Sequence, residues 1–267
     1  MTLFHRSRDA SGDATRATHV FVNLLPTLLL IGAALVAWEV LVRMRDVPAY
    51  LVPAPSAVGQ RWLREPGLFI TEGSISLMEA LGGLLIGGGL AFMGGIVMAR
   101  LPWLERGVMP LAILLKMTPV VVLAPLFVLW FGFGPLPRIL IAALLTFFPV
   151  LIGVVTGLRS PPAAPRDVLL TLDASPVHEV VLLRLPAAMP HLFAALKVSA
   201  TLALLGAVIA EWVGGDRGLG RAILLANANL DTTTTLAGVL TLAVIGIVLV
   251  GGLTMIERRA IFWQAGS

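Results

Sequence analysis

Six apolar runs alternate along the chain with polar stretches: residues 20–42, 74–99, 110–131, 138–158, 190–212 and 234–256. About 20 residues of helix cross the hydrocarbon core of a bilayer. Each run therefore predicts one transmembrane helix, and the fold class is all-α, a polytopic membrane protein with six spans. Residues 1–19 hold Arg6, Arg8 and Arg16 among small polar residues and predict a patternless tail. Residues 260–267 form the closing tail of a single membrane domain over 20–259. Between the first two runs, Pro53 and Pro55 force an extended approach. Ser56 is then placed to cap a short surface helix that carries Trp62 and Leu63. In the second run Gly83, Gly87, Ala91 and Gly95 recur every four residues. They make a face of small residues that lets helices approach closely in lipid, either within the chain or across a dimer. Pro119 and Pro125 predict a kink in the third run.

One stretch, Arg159 to Pro190, is far longer than the few residues that usually join neighbouring helices. It has helix signals of its own. Pro165 suits the first helical position, where its missing N–H costs nothing. Asp167 then lies in the first turn, where negative charge favours the helix dipole. Asp173-Ala174-Ser175 reads as a break, after which Ser175 can cap a second helix with Pro176 at its first position. Two short helices with a corner between them make either a knob that grips a partner protein or an amphipathic loop lying on the lipid. Spacing alone leaves both open.

Composition agrees with the pattern: 267 residues, 58% hydrophobic and 13% charged, with mean hydropathy +0.95. That lies far outside soluble composition. The first apolar run is long enough to remain as a span, and no cleavable signal peptide is expected. The net charge of +4 reads as an orientation signal, not as nucleic-acid binding. With the N-terminus inside, ten arginines (6, 8, 16, 100, 106, 159, 166, 184, 258, 259) face the cytoplasm against seven (43, 45, 61, 64, 138, 217, 221) outside. Both termini and the long insert are then expected to be cytoplasmic.

The absence of cysteine removes disulfides and thiolate sites. The two lysines, Lys116 and Lys197, do not follow glycine in a phosphate-loop spacing, and the histidines are scattered without a zinc motif. No catalytic site, cofactor or metal is expected in this chain. A few residues inside the spans invite a role. Lys116 and Lys197 sit near cytoplasmic helix ends, where they either snorkel or form a partner or gate. Glu211, at the outer end of the fifth run, is either a helix-end residue paired with an arginine or a lining residue. Thr118 and Pro119 are candidates for a pathway.

The long insert resembles the cytoplasmic coupling loop of ABC importer permeases, whose pattern is Glu-Ala-Ala, three residues, Gly, nine residues, then Ile-x-Leu-Pro. In this register stand Asp167-Val168-Leu169, then Asp173, then Leu183-Arg184-Leu185-Pro186. The spacings hold; Asp, Val and Leu replace Glu and the alanines, and Asp173 replaces the glycine. Asp is one of the few other residues that tolerates the positive φ of such a corner. Leu51 to Val58, Thr118 to Gly134, Phe147-Phe148-Pro149, Gly157 to Ser160, Glu211, Gly218-Leu219-Gly220 and Leu230-Asp231-Thr232 are similar to the nitrate, aliphatic-sulfonate and taurine branch.

The resemblance implies a type I importer permease fold with coupling helices. Asp167, Val168, Leu169, Leu172, Asp173, Ala174, Ser175, Pro176, Leu185 and Pro186 would then seat on the ATPase. It further implies a permease homodimer in the bacterial inner membrane, two cytoplasmic ATPases that bind ATP and magnesium, and a periplasmic or lipid-anchored solute-binding protein. A self-sufficient channel or secondary transporter is the alternative, but inverted repeats and central ionisable residues, its usual marks, are not seen.

Overall fold

The structure, a computed structural model, describes residues 9–161, 163–173 and 175–262, and the side chains of all of these but 9–24, 115, 116, 163, 166, 170 and 176. Residues 1–8 and 263–267 of the expected tails, and Ala174, lie outside the described residues.

All the regular elements among the described residues are helical: α1 (Asp9–Met44), α2 (Pro55–Arg64), α3 (Pro66–Arg100), α4 (Pro102–Lys116), α5 (Val120–Phe131), α6 (Pro135–Arg159), α7 (Ala163–Thr171), α8 (Pro176–Glu179), a π turn (Val180–Arg184), α9 (Leu185–Gly214), α10 (Leu219–Ala228) and α11 (Thr232–Ala260). Among the described residues, five helices are long and apolar enough to cross a membrane: Leu25–Met44, Pro66–Arg100, Pro135–Arg159, Val177–Gly214 and Thr232–Ala260.

The expected third span is broken. Residues 110–131 fall in α4 and α5, which part at Met117 and Thr118 before Pro119, the N-cap of α5. Pro119 offers no N–H to the preceding turn and pushes Thr118 out of the helical region, so the proline interrupts the helix instead of bending it. Alone, α5 reaches about 18 Å and α4 about 22 Å, short of the ~30 Å hydrocarbon core. The expected patternless tail is corrected too, because α1 already runs from Asp9. A helix that the apolar run has nucleated extends at little further cost.

The core is α6 held between α3 and α9. The small face of α3 lies on α6 within the chain. A Cβ on Gly83 would fall on Ala142, and one on Gly87 on the Ala143 carbonyl and the Thr146 hydroxyl. Thr146 Oγ1 donates to the Gly83 carbonyl at 3.1 Å, a polar clasp across the dry contact. The open choice between internal packing and a dimer seam is thereby decided for these residues. Around them pack Ala80, Ala142, Ala200, Ala203 and Ala207 in one apolar cluster and Ala91, Leu151, Val154 and Leu158 in another.

Among the described residues, the first span meets α2 through Glu39 and Arg43. Ser56 does not cap α2; its N-cap is Ala54, with Pro55 in the first turn. Instead Glu39 of α1 accepts from the Ser56 amide at 2.9 Å and from its hydroxyl at 2.7 Å, while Arg43 donates to Glu39 at 2.6 Å. A carboxylate from another helix thus satisfies one of the first N–H groups of α2, that of Ser56.

Candidate functional site

The long insert folds as a bent arm. Its first helix starts at Ala163, so Pro165 stands third in it instead of first, still within the turn that lacks N–H partners. The corner comes at Asp173, with φ +50°. This is the left-handed conformation that a non-glycine residue other than Asn or Asp rarely adopts. Ser175 then caps α8: its Oγ accepts from the His178 amide at 3.4 Å and lies 2.8 Å from His178 Nδ1.

The expected second short helix is not separate. From Pro176 the backbone winds through α8 and the π turn into α9, so one helical element runs on to Gly214. Asp167, Val168, Leu172, Asp173, Ser175 and Val177 are exposed, and Leu169, Leu185 and Pro186 half-buried. Val168 and Leu172, at 58% and 71%, present apolar surface on a protruding polar arm. Glu105 pairs with Arg159 at the root of the arm.

At this end of the bundle Lys197 of α9 donates to Glu257 of α11 at 2.9 Å, so it has a structural partner. Lys116 ends α4, and its side chain lies outside the described residues. Thr118 and Pro119 lie at the break between α4 and α5; Met117 is 75% exposed and Pro119 exposed.

The opposite end holds a polar cluster that the sequence reading missed apart from Glu211. Gly218 (φ +105°) opens α10, and its amide and the next two point at acceptors from other helices. The Gly218 amide donates to Glu72 Oε2 at 2.6 Å, the Leu219 amide to Ser76 Oγ at 2.9 Å, and the Gly220 amide to Glu211 Oε2 at 2.5 Å. Ser76 Oγ donates to Glu211 Oε1 at 2.6 Å. Any side chain at 218 would land on the Glu211 carboxylate. Glu211 is fully buried, and in place of the arginine expected beside it the Ser76 hydroxyl and the Gly220 amide donate to its carboxylate. Arg138 Nη1 donates to Glu79 at 2.8 Å and Nη2 to Asp216. Arg138, expected at the outer start of the fourth run, is buried in α6. The signal available in the sequence was the spacing of Glu72, Ser76 and Glu79, which fall on one helical stripe at the start of the second apolar run.

The hydrogen bond from Arg138 holds the exposed Asp216 carboxyl below the usual carboxylate range. A depressed folded pKa contributes stability that is present above the ordinary aspartate value of about 3.9 and is lost as pH falls through the lower folded value. Trp212 reports on this loop, since its Nε1 donates to the Gly220 carbonyl at 3.0 Å. Acidification from pH 6 to 3 is expected to change tryptophan emission less steeply in Asp216→Asn than in the unsubstituted chain. Equal acid profiles would show that the loop does not depend on this carboxylate.

Residues 91–262 match the family model described as binding-protein-dependent transport system inner membrane component. The chain is similar to the riboflavin transport system permease protein of Chloroflexus aurantiacus, 35% identical over 91% of each chain. A Bacillus subtilis permease protein named for aliphatic sulfonates transport is 31% identical over 88% of this chain and 87% of its own. Among solved structures, the methionine ABC transporter in an inward facing conformation superposes with TM-score 0.66 at 16% identity, covering 73% of this chain and 97% of that one.

Proposed function

The chain belongs to the family of binding-protein-dependent transport system inner membrane components, and on that premise we propose that it forms half of an ATP-driven solute path and takes its drive through the corner at Asp173. As a member it is a multi-pass inner-membrane permease subunit of an ABC importer, without catalysis of its own.

The corner carries the coupling reading. A left-handed turn placed at the register of the family's glycine, followed by a capped helix continuous with a membrane span, makes an exposed and rigid elbow. Its apolar tip residues Val168 and Leu172 suit a protein groove better than water. Asp167, Val168, Leu169, Leu172, Asp173, Ala174, Ser175 and Pro176 would seat in an ATPase that binds ATP and magnesium, with Leu185 and Pro186 at the root. Both termini and the elbow are then cytoplasmic, and two permeases work with two ATPases and a solute-binding protein outside.

The interruption between α4 and α5 supports the path. Non-helical backbone at membrane depth is tolerated only where protein buries it or a water-filled cavity meets it. Residues 117–119 are not buried within this chain. A second copy would cover this break, with Thr118 and Pro119 lining the passage and Lys116, Lys197 and Glu211 near its ends. The relatives' names point to a small organic solute, such as a sulfonate, taurine, a pyrimidine precursor or a flavin.

The test is reconstitution in liposomes with the ATPase encoded beside it and its binding protein. Solute uptake should require ATP. Asp173→Gly should keep it, whereas Asp173→Val should lower it roughly 5- to 30-fold, since a left-handed branched residue costs about 1–2 kcal/mol. Uptake by the chain without the ATPase, or full coupling in Asp173→Val, would overturn the proposal.

A further inference from the structure

We propose that Glu179 and Arg184 are positioning residues for coupling: their ion pair holds the π turn that sets the direction in which the Asp173 corner points. The inference rests on the coupling reading above and adds the element that aims the corner.

The π turn Val180–Arg184 interrupts an otherwise α-helical run from Pro176 to Gly214. Such turns are rare, mostly single, and concentrate at functional sites. The backbone bond that defines it runs from the Leu185 amide to the Val180 carbonyl, five residues apart. Glu179 and Arg184 stand at the same separation, one position earlier. Arg184 Nε and Nη2 both donate to Glu179 Oε1, at 3.0 and 2.7 Å.

In an α-helix, residues five apart lie about 140° apart around the axis and cannot meet this way. The wider turn brings them together, so the pair stabilises the π register and not its α alternative. The pair is mostly buried, with side chains 22% and 16% exposed, and solvent screens it less than a surface pair. Beside it lies a cavity of about 300 Å³ between the end of α3, at Ala99 and Arg100, and Val177 and Val180. The arm therefore has room to turn. Relaxation of the π turn to α takes one residue out of the turn and rotates everything before it by about 100°. Val168 and Leu172 would then face a different direction from the one the bundle now gives them.

The chain has no cysteine, so spin labels can be placed singly. Leu172→Cys on the arm and Val198→Cys on α9, both exposed, report the arm's direction by electron–electron distance in lipid nanodiscs. Glu179→Gln and Arg184→Gln are each expected to shift this distance by on the order of 5 Å. The swap Glu179→Arg with Arg184→Glu is expected to restore it. In the complex with the neighbouring ATPase, permease-stimulated ATP hydrolysis should fall about tenfold in the single variants, as for a lost charge-assisted hydrogen bond, and recover in the swap.

Unchanged distances in the single variants would overturn the lock. Shifted distances with unchanged ATP hydrolysis would overturn its part in coupling. If no ATPase associates even with the unsubstituted chain, the coupling reading itself fails, while the label distances still decide whether the pair holds the turn.

Discussion

Arg138→Leu is expected to destabilise the bundle by about 3–5 kcal/mol, the usual cost of breaking a buried ion pair by removing one partner. Arg138 and Glu79 are each 3% exposed, so the substitution strands the Glu79 carboxylate where water does not reach it. It also frees Asp216 and the carbonyl of Arg217. Glu79→Leu alone should cost a similar amount. The double substitution Arg138→Leu with Glu79→Leu should recover much of the loss, since an apolar pair in place of a buried ionic one is often neutral. Unfolding in mixed micelles by added denaturing detergent measures all three. Additive losses in the double variant would mean that the two side chains do not act as a pair.

The second large effect is expected at Gly87. A leucine there meets the Ala143 carbonyl and the Thr146 hydroxyl of α6, and both belong to a helix held from its other side by α9. Neither neighbour has a flexible end to move aside, so the α3–α6 contact opens or the leucine leaves its rotamer. The expected loss is about 3 kcal/mol, the upper part of the usual overpacking range. Gly89 is the internal control: it lies on the same helix with nothing near a Cβ. Gly89→Leu is expected to leave stability within about 0.5 kcal/mol of the parent. Similar losses at both positions would show that helix propensity or insertion, and not packing against α6, limits stability.

These two sites differ in how plainly the chain announces them. The small residues of α3 declare themselves by spacing, because a close helix contact needs every fourth residue small. The partner helix, however, is a tertiary fact that no local pattern contains. The corner at Asp173 was readable for the same kind of reason, since few residues accept its backbone angle and Ser175-Pro176 follow at capping positions. The Arg138 cluster was not. Its partners lie 59 and 78 positions away, and an arginine next to Pro135 and Pro137 looks like any turn residue. Ser56 illustrates a competing contact. It has a capping residue's chemistry, but the Glu39 carboxylate reaches its amide and hydroxyl first. In the third run a bend and a break leave the same signature, because both need only a proline. The π turn left no mark in the apolar pattern either. A five-residue interval between Glu179 and Arg184 acquires meaning only once the backbone is seen to widen there.

The helical element from Val177 to Gly214 comprises 38 residues, about 57 Å of continuous backbone. Its foot belongs to the corner, and near its head Glu211 accepts from the Gly220 amide in the first turn of α10. Thrust delivered at the corner, as proposed above, would meet one continuous helix and no loop on its way. On the proposed coupling, such a segment would act as a pushrod: travel at one face of the membrane would reappear at the other with little slack, and the two mouths of the proposed passage would answer to a single stroke.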